Sequence, residues 1–191
     1  MVGAEDVRKL FSKQLSRISD EALRSKVVEV WVTACGRGGW KSIEALKKIP
    51  ATLATDAKGI SIIEHTIAVT EGALALGKAQ VDAYAKMPYK IDFDRLAAGG
   101  LLHDVGKLFE IEEDGAGGFR KSRNGMCTRH PISGAILAAQ AGLDDELLNT
   151  IACHAKEGEG RSQVLETVLI HQADFATFDP LVMLEKKQLI Q

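Results

Sequence analysis

The sequence is poor in the features that usually place a protein quickly. Its three cysteines, Cys35, Cys127 and Cys153, are odd in number and scattered over 191 residues. No disulfide framework follows from them, and a reducing cytoplasm is the expected setting. Aromatic residues make up only 5% of the chain, and strand-like alternation is nearly missing, which favours helices packed through Ala, Leu and Ile. No charge sign dominates: 24 basic residues face 26 acidic ones, for a net −2. That balance gives no field for a membrane surface or a nucleic-acid polymer. No apolar run is long enough for a transmembrane helix, and the opening Met-Val-Gly-Ala-Glu-Asp lacks the basic and apolar parts of a signal peptide.

What is present is a substantial apolar fraction, 46%, at a length suited to one domain. Helical spacing recurs along most of it. Val7, Leu10, Phe11, Leu15 and Ile18 mark a first amphipathic stretch, and Asp20 caps a second containing Val27, Val28, Val30 and Trp31. Gly36 to Ser42 has the look of a phosphate loop, but Trp40 stands where the Gly before Lys41 is required and no strand precedes it. It reads as a turn between helices. Residues 59–79 form a long helix with His65 on its inner face. Residues 91–111 read as a continuous central helix, ending in an acidic run from Glu110 to Asp114 taken as a solvated end. Arg120, Lys121, Arg123 and Arg129 follow in a loop without acids. His130-Pro131 opens the next helix, Asp144 caps another that reaches His154, and a last one over 162–178 carries Asp174 and stops at Pro180.

The chemistry concentrates in Leu101-Leu102-His103-Asp104-Val105-Gly106-Lys107. A His-Asp pair inside an apolar stretch needs a partner, because an unpaired buried carboxylate or imidazole costs several kcal/mol, roughly. A cation is the commonest such partner. His65, His130, His154 and Asp174 lie in other helical patterns at wide intervals. Such ligands converge only in the folded bundle, unlike the close Cys and His pairs of a structural zinc site. His171 has no evident role, and Cys127 and Cys153 read as small packing residues.

The ordered set His65, His103-Asp104, His130, His154 and Asp174, with Asp104-x-x-Lys107, resembles the HD superfamily of metal-dependent phosphohydrolases in its two-metal form. The likeness spans about residues 59–180. It implies an all-α HD-domain helical bundle over 59–191; residues 1–58, outside the likeness, read as a helical extension packed on the core. It implies His65, His103, Asp104 and Asp174 around one ion, and His130 and His154 around a second, with Asp104 bridging. Imidazole and carboxylate suit Fe, Mn, Ni, Co or Zn, with Fe or Mn favoured. A pair of such ions lowers the pKa of a water and clamps a phosphoryl displacement. Asp104 and Lys107 are the expected catalytic residues. Lys107, Arg123 and Arg129 are the expected contacts to a small phosphorylated or nucleotide substrate; neither a membrane nor a nucleic-acid polymer is expected as a partner, and a homodimer is conceivable. The paired His and the Gly-Tyr-Pro signature of the superfamily's cyclic-dinucleotide phosphodiesterases are missing. The run from His130 to Asp174 is similar in spacing to small bacterial dinucleoside-polyphosphate hydrolases. Two alternatives share the ligand set: a di-iron oxygenase of the same superfamily, and a non-catalytic nucleotide-binding regulatory domain.

Overall fold

The computed structural model describes residues 1–190. In chain order its elements are α1 (Ala4–Leu10), α2 (Ser12–Leu15), α3 (Glu21–Gly38), α4 (Ile43–Leu46), α5 (Ile62–Ala83), α6 (Phe93–Leu102), α7 (Lys107–Glu110), strands β1 (Ile111–Glu113) and β2 (Phe119–Lys121), α8 (Arg123–Cys127), α9 (His130–Gln140), α10 (Asp145–Cys153), a short 3-10 turn (Lys156–Gly158) and α11 (Leu165–Glu185). The expected all-α helical bundle is what forms. No helix among the described residues is long and apolar enough to cross a membrane.

Local chemistry sets several boundaries. The Asp20 carboxylate accepts from the Ala22 and Leu23 N–H groups and starts α3, and Gly39, at φ 76°, ends it. Gly36 to Gly38 therefore extend the helix rather than forming the expected turn. Ser61 and Glu64 make a capping box at α5, and the Asp144 carboxylate caps α10 through the Leu147 N–H. Pro131 sits in the first turn of α9, where no backbone donor is needed.

α6 is the hub, fully apolar on its buried side and packed against α3, α5, α10 and α11. Its neighbours come close because the hub is small: a Cβ at Gly100 would lie 2.9 Å from Thr70 Cα. The N-terminal helices share this core. Phe11 and Trp31 are fully buried, their rings 4.7 Å apart, in the cluster that also holds Leu101, Leu102 and Leu108.

Three further expectations need correction. The central helix is broken, not continuous: after Leu102 the chain turns through residues 103–106 before α7. The Val105 N–H bonds to the Leu102 carbonyl, one residue short of the α-helical partner. This leaves the Leu101 carbonyl to Trp31, whose Nε1–H donates to it at 2.9 Å. An orphaned buried carbonyl is thus satisfied by the N-terminal layer. Second, the acidic run and the start of the basic loop are not a helix end and a loop: residues 111–113 and 119–121 pair as a small antiparallel hairpin, Ile111 opposite Lys121, closed by a turn with Gly115 and Gly117 at positive φ. Third, α11 runs through Pro180 to Glu185. The residue four back, Ala176, lies on the exposed face, where water can take the freed carbonyl.

Candidate metal centre

The break after α6 places His103 and Asp104 at the centre of the bundle, fully or nearly fully buried. α5 supplies His65, α9 His130, the end of α10 His154, and α11 Asp174. Each of the four histidine rings turns its Nε2 towards Asp104, and the two carboxylate oxygens divide them. Oδ2 lies 3.2 Å from His65 Nε2 and 3.4 Å from His103 Nε2. Oδ1 lies 3.2 Å from His130 Nε2 and 3.6 Å from His154 Nε2. Asp174 Oδ1 stands 3.1 Å from His65 Nε2.

The outward ring nitrogens are all engaged. His103 Nδ1 meets the Gly100 carbonyl at 2.7 Å, His154 Nδ1 the Ile151 carbonyl at 2.9 Å, His65 Nδ1 the Thr177 hydroxyl at 3.2 Å, and His130 Nδ1 the Glu110 carboxylate at 2.9 Å. Such partners fix ring orientation and raise basicity at the opposite nitrogen, the usual surroundings of metal-bound imidazole. Inside the ring of donors, Asp104 Oδ1, Asp104 Oδ2 and His154 Nε2 are buried without any hydrogen-bond partner. Lys107 Nζ comes within 2.6 Å of Asp104 Oδ2, an ion pair by distance but not by hydrogen-bond angle.

Orphaned buried acceptors of this kind are costly unless a cation completes them. Two trios have donor atoms close enough to hold an ion, His65-His103-Asp104 and Asp104-His130-His154, with Asp104 common to both. The imidazole and carboxylate donors fit a pair of first-row transition ions. Asp174 stands beside the first trio, through His65.

The charge balance fits as well. Burial opposes ionisation of Asp104, but Lys107, His103 and His130 outweigh it and hold its carboxyl well below the usual range. Burial likewise opposes ionisation of Asp174, and the His65 contact brings its pKa down to about 2. Burial pushes His130 down. It does the same to His65, where Asp104 and Asp174 prevail and raise it.

A model of the HD domain matches residues 62–176, more than half of the chain. The chain belongs to the HD-domain family. Among curated proteins it is similar to ribonuclease Y of Pseudothermotoga lettingae, 31% identical over 116 residues, and to those of Thermotoga petrophila and Thermotoga maritima, each 30% identical over 116 residues. These alignments cover 61% of this chain but only 18% of each relative. The chain therefore spans under a fifth of the length of the relatives it matches. No solved structure matches it at the same significance.

A cavity of about 460 Å³ opens over the HD centre, lined by His65, Asp104, His130 and Asp174 at its floor and by Lys107, Lys121, Arg129 and Lys156 among its walls. Lys107 Nζ also donates to the Ala51 carbonyl at 2.7 Å, which holds the ammonium beside Asp104. Arg129 lines the cavity but is paired with Glu157 at 2.7 Å. Arg123 is exposed and does not line it. His171 stays outside the cluster, its Nδ1 2.6 Å from the His154 carbonyl. Of the two cysteines read as packing residues, Cys153 is buried but Cys127 is exposed.

Sequence reasoning missed Glu110. It is buried, accepts from the His130 backbone N–H as well as from the ring, and lies 3.9 Å from Lys121. Its pKa is lowered, with burial opposing and His130 prevailing. In the sequence it is one acid among four in a five-residue run, and only the fold singles it out. Lys121 was grouped with its basic neighbours, but the hairpin alone brings it to the cavity.

Proposed function

We propose that this protein is a metal-dependent phosphohydrolase whose dinuclear centre is held by His65, His103, Asp104 and Asp174 on one side and by Asp104, His130 and His154 on the other. The observation that carries this reading is the division of four inward Nε2 atoms between the two oxygens of one buried carboxylate, neither of which is hydrogen-bonded. Bound ions would supply a water of lowered pKa and neutralise charge on a phosphoryl group.

The chain's own residues do the rest. Asp104, kept ionised by its neighbours, is the shared anchor. Glu110 and the Gly100 and Ile151 carbonyls aim the rings. Lys107, held by the Ala51 carbonyl, presents a point charge suited to a phosphate oxygen. Lys121 and Lys156 extend that positive lining outward, and Arg129 joins it where a phosphate displaces Glu157. This cationic lining favours an anionic substrate such as a phosphoester over an uncharged one. The ribonuclease name of the relatives makes a phosphodiester the first bond to try, despite the near-balanced charge of the chain.

The test is hydrolysis. Purified protein supplied with Mn, Fe, Ni or Co is expected to cleave at least one member of a panel of phosphomonoesters, nucleotides and oligoribonucleotides, and Asp104→Ala is expected to abolish it. An Asp104→Ala protein of full activity would contradict the assignment.

A further inference from the structure

The cavity has apolar surface that phosphate chemistry does not use. α11 presents Asp174 to the histidines, and the same helical face continues as Phe178 and Leu181, about 6 and 10 Å further along the axis. Phe175, Phe178 and Leu181 all line the cavity, with the two phenylalanines half-buried. Their ring centroids are 6.4 Å apart and their planes 72° to one another, while Phe175 also leans on the His171 ring, 4.4 Å away, so the two rings meet the cavity in different orientations.

Leu53 joins this lining from another part of the chain. Its segment is anchored at both ends. The Ala51 carbonyl accepts from Lys107 at the charged floor, and the Thr55 hydroxyl donates to Glu185 at the last turn of α11. The chain between those anchors runs along the stretch of α11 that carries Phe178 and Leu181. Leu53 therefore borders the same slot, with 38% of its surface exposed. A slot that begins at the Lys107 ammonium beside the HD centre and continues between aromatic and aliphatic side chains suits a phosphoester carrying a flat, weakly polar ring.

We propose that Phe175, Phe178 and Leu53 form a nucleobase-binding wall, so that the substrate is a nucleotide-class phosphoester with its base along α11 and its phosphate at Asp104 and Lys107. This rests on the phosphohydrolase reading for the position of the phosphate. The wall is tolerant of base identity, because every base has a π-face and stacking needs no hydrogen-bond code. Leu53 and Phe178 both lie outside residues 62–176 matched by the family model.

The test compares adenosine 5′-monophosphate with ribose 5-phosphate, the same phosphoester without its base. Calorimetric binding and kcat/KM are measured on the full chain purified without chelators. The base is expected to strengthen binding about tenfold or more. Phe178→Leu, which keeps apolar volume but removes the π-face, and Leu53→Ala, at an exposed position, are each expected to shrink that ratio severalfold, with Phe178→Trp preserving it. A melting curve on each variant checks that it folds. A short oligoribonucleotide and its counterpart lacking the terminal base separate the two sources of such a ring. A base effect in the mononucleotide pair supports a free nucleotide, and one confined to the oligomer pair supports a chain end. Equal binding with and without the base in both pairs, or a ratio that no variant moves, would overturn the wall. Turnover of ribose phosphate as fast as of the nucleotide would overturn it too while leaving the phosphohydrolase reading intact. Base-dependent binding without turnover of any phosphoester would instead support the wall and count against that reading.

Discussion

Gly106 is where the packing of the bundle and the geometry of the metal centre meet. A Cβ at this position would lie 2.2 Å from the His130 carbonyl oxygen and 2.9 Å from both His130 C and Gly134 N. All three are backbone atoms, so no side-chain rotation relieves the clash. The turn holding Asp104 and the start of α9 must separate, by roughly 0.8 Å or more, to restore the 3.0 Å that real Cβ contacts keep. Gly106→Ala is therefore expected to lower stability by about 1–3 kcal/mol, the usual range for overpacking. At this chain length that is a melting-temperature fall of about 2–4 °C per kcal/mol. It also moves His130 away from Asp104 Oδ1, and a displacement of that order in a reacting geometry lowers kcat/KM by up to about a hundredfold. Thermal melts, titration of the second metal equivalent and kcat/KM on whichever phosphoester proves active would be measured together. A Gly106→Ala protein that folds, binds its second ion as tightly as the wild type and turns over at the same rate would refute the reasoning.

Glu110→Gln keeps the shape of the His130 support but removes its charge. The second ion's affinity, or activity, is expected to fall about 10–100-fold, read by metal titration, and an unchanged titration would mean that Glu110 does not orient the ring. Asp94 joins the N-terminal layer to α6 by accepting from the Ser19 N–H, the Ser19 hydroxyl and the Asp20 N–H at 2.7–2.9 Å. Burial opposes its ionisation, but these donors prevail and lower its pKa. Because the folded value lies below the unfolded one, this stabilisation is complete above about pH 4 and is lost as pH falls through the folded value. Asp94→Asn is thus expected to lose about 1–2 kcal/mol at pH 7 and to approach the wild type in acid, as urea unfolding at several pH values would reveal; a difference that does not narrow in acid would remove the carboxylate from the account.

How much of this was written in the sequence depends on how local the cause is. The caps at Asp20 and Asp144 act within one turn and were legible. So were the ligand candidates, because His and Asp inside apolar helical patterns are conspicuous wherever the chain goes. The break after Leu102 was not, since 91–111 keeps helical periodicity throughout. What permits the break is tertiary: Trp31 takes the carbonyl that it frees. The hairpin escaped for the opposite reason, being three residues a strand, too short to show alternation. Glu110 and the 51–55 segment gain their roles only from what packs on them, His130 in one case and Lys107 and α11 in the other. Arg123 and Arg129 were grouped by sequence proximity to His130. Only Arg129 reaches the cavity, because α8 turns Arg123 to solvent.

The central claim is that one buried carboxylate joins two cation sites. Metal analysis of the chain purified without chelators, alongside His130→Ala, tests it most directly. The account predicts two equivalents of transition metal in the wild type and one in His130→Ala, retained by His65, His103, Asp104 and Asp174. A single equivalent in the wild type that His130→Ala leaves untouched, or none at all after metal reconstitution, would contradict it.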